Sequence, residues 1–480
     1  MIPVSQWNQF GGSLGGAILK NKLFYFGDYQ ATRRNSGGST LIRVPSAAER
    51  TGDLSGLNRA IFDPTSGATP AARTQFLGNI IPASRLSPQS LNLLKLIPAA
   101  NVPGAILDQP NWAGSGTLRD NQDQGNVRVD YFATDKLHIF GRYSIANIRL
   151  LSPGSFGLLA GGTGFDATGS STLAYAGNSS QNNHSVALGA DYAVSPSLFT
   201  DFRVGWLRWR VLNLPNGYGE TPALDAGIVG LNNDKTLTSG MPAMNINDYA
   251  NGLFKFGYGL TVSNCNCPLD QDEKQIQFVN NWTKVSGNHT IKFGGDIRRA
   301  YNLRVASDRH RSGELQFNAA RTQGGAGGGS GLATFMLGDV TQMQRYISAS
   351  TNARETQNRW FFFAQDSWKV SRKLTFNYGL RWEIYRPQKV NAPGNGGNLM
   401  LDTGEVQSYG IGNFGLDGNV KDRFTLLAPR VGVAYQMNSK TVVRAGYGRG
   451  FSMGAFGTVF GHNVTQEPAG SGQPDACRGE

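Results

Sequence analysis

Leu374, Phe376, Tyr378, Leu380, Trp382 and Ile384 alternate along the chain with Thr375, Asn377, Gly379, Arg381 and Glu383. Successive side chains of a strand leave to opposite faces, so the stretch predicts a β-strand with one apolar and one polar face. The same plan recurs in "GNVRVDYFATDKLHIFGRYSI", "HSVALGADYAVSPSLFTDFRVGW", "QIQFVNNWTKVSGNHTIKFGGDI", "WFFFAQDSWKVSRKLTFNYGLRW" and "PRVGVAYQMNSKTVVRAGYGRGF". Each joins two alternating runs through a few small, polar or charged residues, which is a β-hairpin written repeatedly. Val127, Val129, Tyr131, Leu137, Ile139, Tyr143, Val186, Leu188, Tyr192, Ile291, Phe293, Ile297, Val431, Val433 and Tyr435 share the apolar parity. Arg128, Asp130, Arg142, Asp191, Lys292, Asp296, Arg298, Arg430 and Gln436 take the other.

A soluble sandwich also alternates, so the connections decide. Within a hairpin the link is short ("TDK", "SPS", "SGN", "SRK", "NSK"), whereas between hairpins it spans roughly residues 34–125, 150–184, 212–275, 304–359 and 386–427. Short turns at one end and long loops at the other predict an all-β, antiparallel up-and-down transmembrane β-barrel, with periplasmic turns and extracellular loops. The period-two criterion gives about 12–14 strands. Tyr131, Tyr192, Trp282, Trp368 and Tyr435, beside the short turns, suit an interfacial girdle. Two places deviate. Apolar parity switches between Trp206 and Leu207, which predicts a β-bulge, and Arg299 sits on the apolar side of its strand, a position tolerable near a membrane interface.

The reading divides the chain into a first hairpin over 1–34, a long extracellular loop over 35–124, hairpins with long loops over 125–451, and the truncated start of a further loop over 452–480. "SPQSLNLLKLIP" predicts a short helix near 88–97 with Ser87 as N-cap and a stop before Pro98. Leu91, Leu94 and Leu96 supply too few apolar residues for a domain core, so the helix is expected to lie over a loop. "GGAGGGSG" (324–331) is expected to be a flexible link.

Composition agrees with long β-structure. Of 480 residues, 39% are hydrophobic and 16% charged, with 63 glycines and 10% aromatics, against roughly 45–50% apolar and about 25% charged in soluble domains. The net charge of +12 is scattered singly, without the clustered patch that nucleic acid selects. No stretch approaches the roughly 18–20 apolar residues of a spanning helix, a limit that does not apply to strands. Cys265 and Cys267 form "CNC", which allows a tight disulfide or half of a soft-metal site, the latter weakened by the lack of a neighbouring His or a second pair. Cys477 lies in a polar tail and the five histidines are dispersed. No H-E-x-x-H, nucleophile elbow or phosphate loop occurs, so neither an enzyme nor a cofactor is expected.

"NQFGGSLGGAILKNKLFYFGDYQATRR", the loop "RVPSAAERTGDLSG…IFDPTSG…FLGNIIPASRLSPQSLNLLKLIPAAN", "FFFAQDSWKVSRKLTFNYGLRWE" and "LLAPRVGVAYQMNSKTVVRAGYGRGF" resemble TonB-dependent outer-membrane receptors. The likeness is to the Oar-like branch, in which a carboxypeptidase-regulatory-like domain precedes the plug, and "NIIPASRLSP" is its most specific part. The resemblance implies a barrel of about 22 strands closed around a plug. It also implies an inner-membrane energy-transducing complex and import of a large solute across a Gram-negative outer membrane. This chain matches an internal barrel fragment, whose partners would be outer-membrane lipid, the plug and the remaining strands. Arg128, Arg142, Lys292, Asp296, Arg298, Arg381, Glu383, Arg430 and Arg444 are the lumen-facing candidates for contact with plug or ligand. Two alternatives remain open at this point: an outer-membrane structural or adhesive barrel binding macromolecules through its loops, and a secreted soluble β-rich binding protein.

Overall fold

The computed structural model describes residues 5–104, 109–162, 165, 177–247, 254–257, 268–305, 311–345 and 354–452. Twelve long strands form its wall: β1 (Ser5–Leu19), β2 (Leu23–Ile42), β3 (Trp112–Thr134), β4 (Leu137–Ser152), β5 (Gly177–Ser195) and β6 (Leu198–Pro215), then β7 (Leu269–Ser286), β8 (His289–Val305), β9 (Arg354–Lys369), β10 (Leu374–Tyr385), β11 (Arg423–Gln436) and β12 (Val442–Gly448). Each pairs with the next in sequence, and Lys389–Val390 adds a short edge beside β9. Every wall pairing is antiparallel. Among the described residues β1 and β12 do not pair with each other, so the sheet is open.

The two faces differ as the alternation requires. Val127, Leu188, Phe293, Leu380 and Val431 are 43–55% exposed and all lie on one face, an apolar surface that only lipid or a partner covers favourably. Ile384 keeps its place on that face, opposite Trp360, but is buried there, where β10 and β11 shift register between Glu383 and Tyr385. The expected bulge at Trp206 does not occur: β6 keeps unbroken register with β5 and β7 through Trp206, Leu207 and Arg208. The parity switch is therefore a change in what the outward face meets, with Arg208 and Arg210 following Trp206 on one side.

The strands also outrun the expected loop boundaries. β2 and β3 stay paired from Asn35↔Arg119 up to Ile42↔Trp112, and β3 reaches 23 residues, whereas a spanning strand needs about 9–11. The outer half of the wall thus stands clear of the hydrocarbon, and its inward face is partly covered by the folded connections, with Trp112 and Leu118 buried there.

The long connections fold together instead of lying loose. Leu54, Ile61, Leu93, Met244, Ile246, Phe256, Phe317, Leu332 and Phe335 belong to one buried cluster, drawn from segments far apart in sequence. Phe335 meets Phe317 and Phe256 edge-on, at 5.1 and 6.0 Å between centroids. The helix Pro88–Leu94 starts at Ser87, whose side chain accepts from Ser90 N–H. Contrary to expectation it enters this core through Leu93 and Leu94; Ser90 Oγ donates to Phe335 O at 2.5 Å. Arg50 donates to the carbonyls of Leu94, Ile97 and Pro98 at 2.7, 3.1 and 2.7 Å, filling the acceptors left at the helix end. Arg43 and Glu49 form a buried ion pair beside it. The glycine run is ordered too: Gly324 and Gly327 exchange backbone hydrogen bonds, and Gly328 and Gly329 hold positive φ tight against Ala60 and Ala319 carbonyls. Its flexibility is lost because close packing here admits no side chain.

Candidate functional site: the inward face of the wall

On a strand, residues two apart share a face at about 7 Å, within reach of an arginine. Three of the expected residues use that spacing. Arg128 makes a two-pronged contact with Asp130, 2.7 Å at both Nε and Nη2. Arg298 donates to Asp296 at 2.5 Å through Nη2, and Arg381 to Glu383 at 3.0 Å through Nε.

Aromatic rings order these charges. The Phe140 ring lies under Arg128 at 4.3 Å and under Arg203 at 4.9 Å. Phe361 lies under Arg381 at 4.7 Å and Arg298 at 5.2 Å. In each stack a quadrupole separates two guanidinium planes, and each arginine keeps its carboxylate. Gly189 makes the first stack possible, since a Cβ there would sit 2.5 Å from the Phe140 ring and 2.7 Å from Arg203 Cδ. Asp191 pairs with Arg203, and His138 bridges Asp130 (2.8 Å) and Asp191 (3.1 Å). His138 also stacks on Phe132 at 4.5 Å. Asp130, His138, Asp191, Arg203, Phe140 and Phe361 complete the inward network; their shared parity was visible in sequence, but their mutual contact depends on register.

The remaining expected cations, Arg142, Lys292, Arg430 and Arg444, have no ion-pair partner among the described residues. Lys292 and Arg430 join Arg381 around an inward recess of ≈ 390 Å³, which Gln365, Asn281 and Asp201 also line. A second recess of ≈ 510 Å³ shares Lys292, Gln365, Gly379 and Arg430 with it and extends over Ser367 and Asn377. Gly379 floors both, and a Cβ there would lie 2.5 Å from Gln365 Cβ. Arg142 lies apart on β4 opposite Arg128, and Arg444 stands on β12 opposite Ala434. Cys265 and Cys267 lie outside the described residues. Among the described residues no group of His, Cys, Asp and Glu is arranged to hold a metal, and the recess combines the positive charge of Lys292, Arg381 and Arg430 with hydrogen-bonding groups and the Asp201 carboxylate.

A wall of consecutive antiparallel strands, apolar outward and charged inward, with tight turns at one end and long folded connections at the other, is an outer-membrane β-barrel. A family model described as outer membrane beta barrel domain matches residues 1–475, and the chain belongs to that family. The protein is accordingly an outer-membrane barrel. No curated protein matches it. Solved structures similar in fold include the ferric-catecholate import receptor Fiu of E. coli K12, at 10% identity and TM-score 0.40 over 93% of this chain and 50% of that one. The ferric yersiniabactin uptake receptor FyuA of Yersinia pestis has 8% identity and TM-score 0.40 over 91% and 44%. FpvA of P. aeruginosa, solved with pyoverdines, has 9% identity and TM-score 0.41 over 92% and 40%. The chain thus spans about half the length of these receptors or less.

Proposed function

We propose that this chain is barrel wall and outer loops of a TonB-dependent receptor of the Oar-like kind, importing a large solute with energy drawn from the inner membrane. The observation that carries the reading is the inward recess where Lys292 and Arg430, without an ion-pair partner among the described residues, stand beside the Glu383-paired Arg381, set in a wall whose outer connections fold into a packed cap. A plain structural barrel has no need of unpaired inward cations, whereas an acidic surface of a plug or an anionic solute does. Arg128, Asp296, Arg298 and Glu383 hold their neighbours by local pairing, while Arg142, Lys292, Arg430 and Arg444 stand ready to meet whatever occupies the lumen.

The test is accumulation of radiolabelled ferric siderophores by Gram-negative cells producing the receptor, with and without a protonophore. Protonophore-sensitive accumulation, reduced by Lys292→Glu with Arg430→Glu, supports import. Surface retention of label that a protonophore leaves unchanged would instead establish the adhesive reading.

A further inference from the structure

We propose that Arg208, Lys274 and Arg299, on the outward face of β6, β7 and β8, form a docking site for the phosphate-bearing headgroup of a lipid in the outward leaflet. Arg208 is ten residues beyond the start of β6 and Arg299 ten beyond the start of β8. At about 3.3 Å per residue and a tilt near 40°, both stand roughly 25 Å from the short turns, which is the height of the apolar band. Directly below them the same face carries Trp206, Ile276 and Ile297, so an acyl chain seated on those residues brings its headgroup level with the cations.

Register makes the three residues neighbours. Arg208 is opposite Lys274, Lys274 is opposite Tyr301, and Arg299 precedes Tyr301 by two on the same face. The Arg299 guanidinium lies 5.2 Å from the Tyr301 ring centroid, which holds it outward. Arg208 and Lys274 share Asp272, at 2.9 and 3.3 Å, and Arg210 pairs with Asp270 at 3.2 Å. Four cations therefore face two carboxylates, leaving an excess of two positive charges on one patch. The patch is local: farther round the rim, Arg33 is bound to Asp123 at 2.6 Å. An uncompensated guanidinium beside an ammonium at the edge of the hydrocarbon matches a phosphate, which accepts from both. The inference uses only the wall's place in the membrane and stands whether or not the protein imports a solute.

The probe is pyrene-labelled phosphatidic acid in phosphatidylcholine nanodiscs holding the protein, read by energy transfer from tryptophan and compared with pyrene-labelled phosphatidylcholine. Enrichment of the anionic probe at the protein is expected to be roughly fivefold to tenfold, and to vanish in the variant Arg208→Gln, Lys274→Gln, Arg299→Gln. Arg142→Gln, which removes one charge from the inward face as Arg299→Gln alone does from the outward one, should leave it intact. Arg299→Gln alone has no ion pair to break and should halve the enrichment if the triple variant does not fold. No preference for phosphatidic acid, or a preference unaffected by Arg299→Gln, overturns the proposal. Displacement of the probe by millimolar inorganic phosphate would reassign the patch to a soluble anion and overturn the lipid site.

Discussion

Replacing Phe335 with alanine should unfasten the outer cap while leaving the wall in place. Phe335 has no exposed surface and closes against Phe317 and Phe256 edge-on. Removing a buried phenyl ring costs about 3–5 kcal/mol, and two lost aromatic pairs, each about 0.5–1.5 kcal/mol, put this site in the upper half of that range. A loss of about 4 kcal/mol raises the open population of the cap roughly a thousandfold, at 1.4 kcal/mol per tenfold. The assay is limited trypsin digestion of the membrane-inserted protein, following cleavage after Arg321, whose short turn packs beside the Gly331–Met336 helix. Cleavage should accelerate by orders of magnitude in Phe335→Ala and only modestly in Phe335→Leu, with the heat-modifiable mobility of the barrel unchanged in both. A Phe335→Ala protein cleaved at the parental rate would refute the claim that the connections share one core.

Leu188→Arg and Ala187→Arg place one charge at nearly one depth on opposite faces of β5. The first should cost about 2–3 kcal/mol in urea titration of the vesicle-inserted protein, the second less than about 1 kcal/mol despite facing Arg142 across the wet lumen; equal costs would contradict the assignment of faces. Gly189→Ala forces the Phe140 ring and Arg203 from their stack and should destabilise the wall by about 1–3 kcal/mol, measured by the same titration. In the cap, the Arg85 guanidinium, at 2.7 and 2.9 Å, holds the Asp63 carboxyl down at about 2. Because the folded value is depressed, this contribution is complete above about pH 4 and is lost as the pH falls from there through about 2. Solvent screening of the part-exposed arginine limits it to roughly 1 kcal/mol. Trypsin-independent probes of cap opening, such as hydrogen exchange, should show that acid loss in the parent and not in Arg85→Leu.

The wall was legible because a strand's two faces imprint a period of two on any sequence that meets lipid on one side and water on the other. Leu374 to Trp382 needed no partner to reveal their faces. The same logic misread Trp206 and Leu207: a switch of apolar parity arises either from an inserted residue or from a change of surroundings at fixed register, and a single strand does not distinguish them. The cap was illegible for a different reason. Leu93 and Phe335 are separated by more than two hundred residues, and each stretch alone carries too few apolar side chains to announce a core. Lumen-facing cations could be picked by parity, but which are neutralised could not. The stack of Arg128, Phe140 and Arg203 exists only because Gly189, on the strand between, leaves room, and that juxtaposition is a property of register across β3 to β6.

The most direct measurement is site-directed spin labelling of every position from Leu374 to Ile384 in lipid vesicles, comparing collision with oxygen and with a polar nickel chelate. From 374 to 383 the account predicts two curves of period two in opposite phase, with oxygen maxima at Phe376, Tyr378, Leu380 and Trp382 and nickel maxima at Asn377, Gly379 and Arg381. Curves in phase, or oxygen access that does not alternate, would contradict a wall with lipid on one face and water on the other.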